Sequence, residues 1–92
     1  MFAVVAYDVP AKRTEKYRKL LSRFLLGVQY SVFAGDISEL SFRKLHGHIK
    51  HLMEDQDKVL IISAENRRNM RVVHWDSNGE TEDFGHLGSG II

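Results

Sequence analysis

The sequence predicts an α+β sandwich, in which two helices cover one face of a mainly antiparallel sheet. Residues 2–8 form an apolar, strand-like run, residues 14–26 repeat with the period of a helix, and the same strand and helix patterns return in the second half. The 92 residues make a single domain, 1–92, of a size at which one core only just suffices. The sheet face without helices needs a cover, and a second copy of the chain is the economical one.

The first half begins with a strand and continues with an amphipathic helix. Phe2–Ala6 is apolar on both faces and stops at Tyr7-Asp8, which is typical of a strand buried on both sides. We expect Thr14 to cap the helix, which runs to about Leu26 and is closed by Gly27. Its apolar positions have the spacing of a core-facing stripe: Tyr17, Leu20, Leu21, Phe24 and Leu25.

The second half repeats this order. The side chains of segment 28–36 alternate between two faces as in a strand, and this pattern allows one long strand or two short ones. Ser38 or Ser41 begins a second helix that ends near Met53, and "EDQD" at 54–57 follows as a solvated turn. Residues 58–64 form a third buried strand, and 70–76 is expected to return antiparallel to it.

This order of elements suits a ferredoxin-like βαββαβ sandwich with an extra C-terminal strand. We expect the sandwich to dimerise through its sheet. Residues 77–92 would then form a C-terminal strand and tail at the dimer or partner interface.

Positive charge is concentrated in one segment. Residues 10–30 carry six Lys or Arg side chains against Glu15 alone, although the net charge of the chain is only +1. Such a patch favours a polyanionic partner, although a merely solvated helix surface would look the same. The candidate nucleic-acid-binding residues are Lys12, Arg13, Lys16, Arg18, Lys19 and Arg23, of which Arg18 lies on the opposite flank from the stripe formed by Lys12, Lys16, Lys19 and Arg23.

Composition excludes several classes of protein. There is no cysteine, so the chain has neither disulfides nor thiolate sites. Apolar runs reach about six residues, far short of the roughly 20 that cross a bilayer. The N-terminus lacks the cationic start of a signal peptide, so we expect a cytoplasmic protein with no membrane partner. No P-loop, Ser-His-Asp order or glycine-rich dinucleotide motif is present.

Asp8 is the strongest candidate for chemistry. It follows a buried strand and precedes Pro10, the only proline. A hard cation such as Mg²⁺ needs only one or two carboxylates besides water and phosphate oxygens, so two copies of Asp8 across a two-fold axis could bind one. The alternative is that Asp8 is a turn residue. His48 and His51 have a spacing that can share a metal, but no acidic or cysteine partner is adjacent, and a solvated helix face is the simpler interpretation.

Two motifs together resemble a known family. "AYDV" ends the first strand, and "VQYSVFAGDIS" opens the second helix about twenty residues later. Over about residues 2–76 the chain resembles the CRISPR-associated proteins of the Cas-two family, the partners of the CRISPR integrase (Cas-one) in spacer acquisition. The resemblance implies a ferredoxin-like homodimer in which the C-terminal strand joins the partner's sheet. It also implies Mg²⁺ at Asp8.

The resemblance further implies an activity and its residues. Some members hydrolyse single-stranded RNA or double-stranded DNA, and others act as a DNA bridge between two integrase dimers. In active members the residues matching Tyr7, Arg13 and Phe33 contribute beside the aspartate, and Ser31 is adjacent. Many members carry basic residues at the places that Gly27 and Tyr30 occupy here, so a phosphate clamp beside Asp8 is missing.

The main function predicted is therefore a metal-dependent endonuclease and DNA-bridging protein of CRISPR adaptation. Three alternatives remain open at this point: a non-catalytic nucleic-acid adaptor, a toxin-like RNase of the same fold, and a small ligand-sensing domain.

Overall fold

A computed structural model describes residues 1–71 and 73–82 of the chain. Four strands form one antiparallel sheet in the order β2-β3-β1-β4, and two helices are inserted between its strands. This confirms the predicted α+β, ferredoxin-like fold. The elements are β1 (Phe2–Asp8), α1 (Thr14–Leu21), β2 (Leu26–Gln29), β3 (Val32–Asp36), α2 (Glu39–Leu52), β4 (Lys58–Ala64), β5 (Val73–Asp76) and β6 (Gly79–Glu82), with 3-10 turns at Ala11–Arg13 and Arg67–Asn69.

The core lies between the helices and one face of the sheet. Alternate residues of β1 point to opposite faces, and Ala3, Val5 and Tyr7 point towards the helices. There they meet buried side chains of both helices, including Tyr17, Leu20, Leu21, Leu45 and Ile49. Tyr17, Leu20 and Leu21, which the sequence period assigns to the core, are therefore part of it.

The other face of the sheet is apolar, and neither α1 nor α2 packs on it. Phe2 and Ala34 are buried at one part of this face, where Met70 packs against them. Val4 lies opposite Ile62 and Ala6 lies opposite Leu60 in the β1–β4 register. Leu60 is 60% exposed and Ile62 is 48% exposed. We call this surface, formed by Val4, Ala6, Asp8, Leu60 and Ile62, the open face.

The first helix is shorter than predicted. It ends at Leu21 instead of about Leu26, and Gly27 lies within β2 instead of closing the helix. The amide of Leu25 still donates to the carbonyl of Leu21 at 2.8 Å, as in a helix. The amide of Phe24 donates to the same carbonyl, so the last turn tightens and the helix ends. Thr14 is the first helical residue, and its hydroxyl donates to the carbonyl of Ala11.

Two open questions in the second half are settled. The segment 28–36 contains a hairpin between β2 and β3, not one long strand. Its turn places Ser31 at φ 70°, in the left-handed region that non-glycine residues seldom adopt. The second helix is capped by Ser38, whose hydroxyl accepts a hydrogen bond from the amide of Ser41.

The expectation that residues 70–76 return along β4 is wrong. β5 pairs instead with β6, from Val73 opposite Glu82 to Asp76 opposite Gly79, in a separate two-stranded sheet. The predicted tail beyond Glu82 lies outside the described residues, and so does the predicted docking of that tail. In the part of the chain that the structure covers, no helix has the length and apolarity needed to cross a bilayer.

Candidate metal and nucleic-acid sites

Asp8 lies at the end of β1, where the buried strand reaches solvent. Its side chain is exposed, and Lys58 at the start of β4 lies directly opposite in the register. A shallow cavity of about 210 Å³ adjoins it, lined by Ala6, Tyr7, Asp8, Lys58, Val59 and Leu60. Within residues 1–71 and 73–82 the Asp8 carboxylate takes part in no hydrogen bond or ion pair, so it is accessible to a ligand.

One chain offers a cation a single carboxylate at this place. No group of three or more His, Cys, Asp or Glu side chains that could hold a metal occurs among the described residues. An accessible carboxylate without a protein partner suits Mg²⁺, because this ion keeps several of its waters and binds through one or two carboxylates. His48 and His51 are exposed on α2 and belong to no such group.

Tyr7, Ser31 and Phe33 come together, but not with Asp8. The Tyr7 ring stacks on Tyr17 at 5.4 Å and on Phe33 at 6.4 Å, measured between ring centroids. The amide of Tyr7 donates to the carbonyl of Ser31 at 3.0 Å. Because Tyr7 and Asp8 are consecutive in a strand, their side chains lie on opposite faces of the sheet.

The surroundings of Tyr7 are those of a core residue. Tyr7 and Phe33 are both buried, at 6% and 5% exposure. Burial raises the pKa of the Tyr7 phenol above its ordinary value, and a hydrogen bond with the Ser31 side chain partly opposes that rise. In one chain, therefore, Tyr7 and Phe33 pack the core, and the half-buried Ser31 contacts Tyr7 rather than the carboxylate.

Arg13 does not occupy the exposed position that the sequence suggests. Its Nε donates to both carboxylate oxygens of Asp57, at 3.2 and 3.1 Å, and its Nη2 donates to the carbonyl of Leu52 at 2.7 Å. Its Nη1 pairs with Glu54 at 3.1 Å, and the side chain is 9% exposed. Arg13 is therefore not a free cation, because its guanidinium is paired with the carboxylates of Asp57 and Glu54, and its part in nucleic-acid binding stays a prediction.

Asp57 is the residue that sequence reasoning missed. The sequence predicts a solvated turn here, yet Asp57 is only 8% exposed. It accepts a hydrogen bond from the Tyr17 hydroxyl at 2.7 Å and another from the Glu54 amide. The hydrogen bonds from Arg13, the largest influence, and from Tyr17 hold the Asp57 pKa below its ordinary value. Burial and the Asp57 carboxylate raise the pKa of Tyr17 to about 12, so Tyr17 stays a donor. No local pattern marks this network, because Asp57 lies 44 positions from Arg13 and 40 from Tyr17.

The other cations divide into two groups. Arg18 pairs with Glu15 in the same helix. Lys12 lies at the rim of a cavity of about 600 Å³ whose lining includes Glu54, Asp55 and Asp57. Neither position suits a polyanion well, because acidic side chains are adjacent.

Lys16, Lys19 and Arg23 share a different surface. They line a groove of about 300 Å³ between α1 and α2, together with Leu20, His48 and Leu52. None of these six lining residues is acidic. We call this surface the inter-helix groove, and it brings together three of the four cations of the predicted basic stripe.

Comparison with known proteins places the chain in a family. The family described as "CRISPR associated protein Cas2" matches residues 1–72. A protein of Haloferax volcanii named "CRISPR-associated endoribonuclease Cas2" is 41% identical over 66 residues, covering 72% of this chain and 77% of that protein. One of the same name from Methanosarcina acetivorans is 32% identical over 73 residues, covering 78% of this chain and 84% of the other.

Solved structures agree with this result. A structure described as "Crystal structure of cas2" superposes with a TM-score of 0.65 at 35% identity, over 67% of this chain and 71% of that one. Cas2 of Streptococcus pyogenes superposes with a TM-score of 0.64 at 22% identity, over 75% of this chain and 93% of that one, and supports the fold alone. The matched residues, 1–72, include the four-stranded sheet, both helices and Asp8. The chain therefore belongs to the CRISPR-associated Cas2 family.

Proposed function

We propose that the protein is a Mg²⁺-dependent endoribonuclease of CRISPR adaptation, with Asp8 as its metal ligand. The observation that carries the proposal is the Asp8 carboxylate, which ends a buried strand, faces solvent and has no partner among the described residues. Relatives that cover most of the chain bear the name endoribonuclease.

The chain's own residues bind and orient the substrate in this proposal. Asp8 holds the cation, and bound there Mg²⁺ supplies Lewis-acid polarisation of a phosphodiester. Lys58, opposite Asp8 in the register, places an ammonium group where it can donate to a phosphate oxygen. Arg13 has no direct part, since Asp57 and Glu54 occupy it.

A homodimer completes the proposed site. The open face holds exposed Leu60 and Ile62 on the same side as Asp8. Packing two open faces together removes this apolar surface from water. It also brings a second Asp8 towards the first, which supplies the second carboxylate that a Mg²⁺ site commonly uses.

The test is cleavage of end-labelled single-stranded RNA and duplex DNA, with nucleic-acid binding measured in parallel. We expect wild type to cleave RNA in Mg²⁺, and chelation by EDTA to stop it. Asp8→Ala should lower the rate by about 100-fold or more, the usual effect of removing a group that stabilises charge in the transition state. Equal rates for wild type and Asp8→Ala would refute the proposal.

A second function is favoured by the position of the inter-helix groove. Its cations lie on the helix side of the sheet, away from Asp8. In a dimer joined through the open faces, two such grooves would point outward on opposite sides, as a DNA bridge between integrase (Cas-one) dimers requires. Salt-sensitive binding without any cleavage in the same assay would select this non-catalytic function.

A further inference from the structure

The inter-helix groove combines two kinds of surface. Lys16, Lys19 and Arg23 supply positive charge from the α1 side. The half-buried Leu52 supplies apolar surface beside them, together with the 8% of Leu20 that is exposed. The two lysines form no ion pair within the described part of the chain, although the Glu15 carboxylate is near enough to Lys19 for an electrostatic attraction between them. The nearest acid on α1, Glu15, is engaged by Arg18.

Aromatic rings lie at the same place. His48 belongs to α2 and lines the groove, and its ring centroid is 6.1 Å from that of Phe24. The guanidinium of Arg23 lies over the same Phe24 ring, 5.6 Å from its centroid. The groove therefore offers an imidazole and a guanidinium plane next to two ammonium groups that form no ion pair within the described part of the chain.

We propose that this groove binds one nucleotide unit of a single-stranded nucleic acid. Lys16, Lys19 and Arg23 hold its phosphate, and His48 packs against its base beside Leu20 and Leu52. Duplex DNA presents phosphates to a basic surface but keeps its bases stacked inside, so its bases cannot contact the apolar part of the groove. Single strands expose bases that stack on flat side chains, and they combine this with charge along the backbone.

The proposal rests on nucleic-acid binding as part of the proposed function, but not on the Asp8 chemistry. α1 packs on the sheet face that holds Val5 and Tyr7, and Asp8 points to the other face. Strand binding in the groove should therefore persist when Mg²⁺ is removed.

The test measures fluorescence anisotropy of an end-labelled oligouridine, and of an RNA duplex of equal length, in EDTA at several salt concentrations. Lys19→Gln should weaken binding of both probes and reduce the salt dependence for the single strand by about 0.7 in log-log slope, the share of one phosphate contact. His48→Ala should weaken oligouridine binding by about 5-fold or more, as loss of one stacked base does. Its duplex affinity should stay within about 2-fold of wild type.

Matched controls lie on the same helix. His46 and Lys50 are exposed on α2 and do not line the groove. His46 is two positions from His48 and so lies about 200° around the helix. His46→Ala and Lys50→Gln should bind both probes like wild type. All four changes are at exposed positions, and unchanged melting temperatures would confirm that each variant is folded.

The outcomes separate this proposal from the proposed nuclease. Groove-dependent binding in EDTA with no cleavage in Mg²⁺ supports the groove and refutes the nuclease. If cleavage depends on Asp8 but His48→Ala and His46→Ala bind oligouridine equally well, the groove proposal alone is refuted. Failure of the wild type to bind oligouridine refutes the groove as a single-strand site. The groove is refuted in the same way if His48→Ala loses as much affinity for the duplex as for oligouridine.

Discussion

At the scale of single residues, two aspartates show that the polarity of the neighbouring residues in the sequence does not predict burial. Asp8 ends a buried apolar strand but is exposed and unpartnered within the described residues. Asp57 sits in a run of polar residues but is buried and receives hydrogen bonds from Arg13 and Tyr17. The polarity of the neighbouring residues therefore does not decide whether an aspartate side chain is buried or exposed.

The Asp57 network should be important for stability. Asp57→Asn removes the countercharge of a buried guanidinium, which is costly because Arg13 cannot shed its proton. We expect the melting temperature to fall by roughly 10 °C or more. Asp55→Asn, an exposed neighbour, is the control and should change it by about 2 °C or less. Thermal unfolding by circular dichroism measures both, and equal melting temperatures for the two variants would contradict this assignment.

The same network predicts a dependence on pH. Because Arg13 and Tyr17 hold the Asp57 pKa below its ordinary 3.8, the stabilisation is complete above that value. It is lost as the pH falls through the lower pKa of the folded state. The difference in melting temperature between wild type and Asp57→Asn should thus be constant from neutral pH down to about 5 and should shrink under stronger acid. A difference that grows on acidification would argue against an ionised, paired Asp57.

At the scale of elements, the patterns that depend on near neighbours predict well. β1 and β4 were expected from their apolar runs, and Ser38 was one of two expected caps for α2. The end of α1 was missed because Phe24 and Leu25 continue the helical spacing although they lie in the turn after the helix. Periodicity reports which side chains face the core, and a tight turn can satisfy that requirement as well as a helix.

The Ser38 cap can be tested by itself. Ser38→Ala removes the acceptor for the Ser41 amide and should lower the free energy of unfolding by about 1 kcal/mol. Ser22→Ala, which loses only a hydroxyl bond to the Lys19 carbonyl on the exposed side of α1, should cost about 0.5 kcal/mol or less. Urea denaturation compares them, and a cost for Ser38→Ala no larger than that for Ser22→Ala would show that the cap is not important.

At the scale of the whole molecule, the sheet separates two surfaces. The open face carries Asp8 with Leu60 and Ile62, and the helix side carries the inter-helix groove. The sequence indicated a basic patch and a strand-end carboxylate, but not that the sheet lies between them. Nor could it show which cations are free, since the partners of Arg13 come from a loop about 40 residues further along the chain.

The open face should mediate self-association. Ile62→Glu places a charge in the middle of the proposed dimer interface and should convert the dimer to a monomer in light scattering, because a buried unpaired charge is strongly unfavourable. Leu40→Glu is the control, since Leu40 is 60% exposed on α2, away from the open face. Dissociation caused equally by both variants, or by Leu40→Glu alone, would place the interface elsewhere.

The central claim is that Asp8 is the carboxylate at which RNA is cleaved. The most direct measurement compares initial rates of single-stranded RNA cleavage in Mg²⁺ by Asp8→Ala and Asp55→Ala, two variants that each remove one exposed carboxylate. We predict that Asp55→Ala retains the wild-type rate and that Asp8→Ala loses about 100-fold or more. Equal rates for the two variants would contradict the claim and leave Asp8 as the end of a strand.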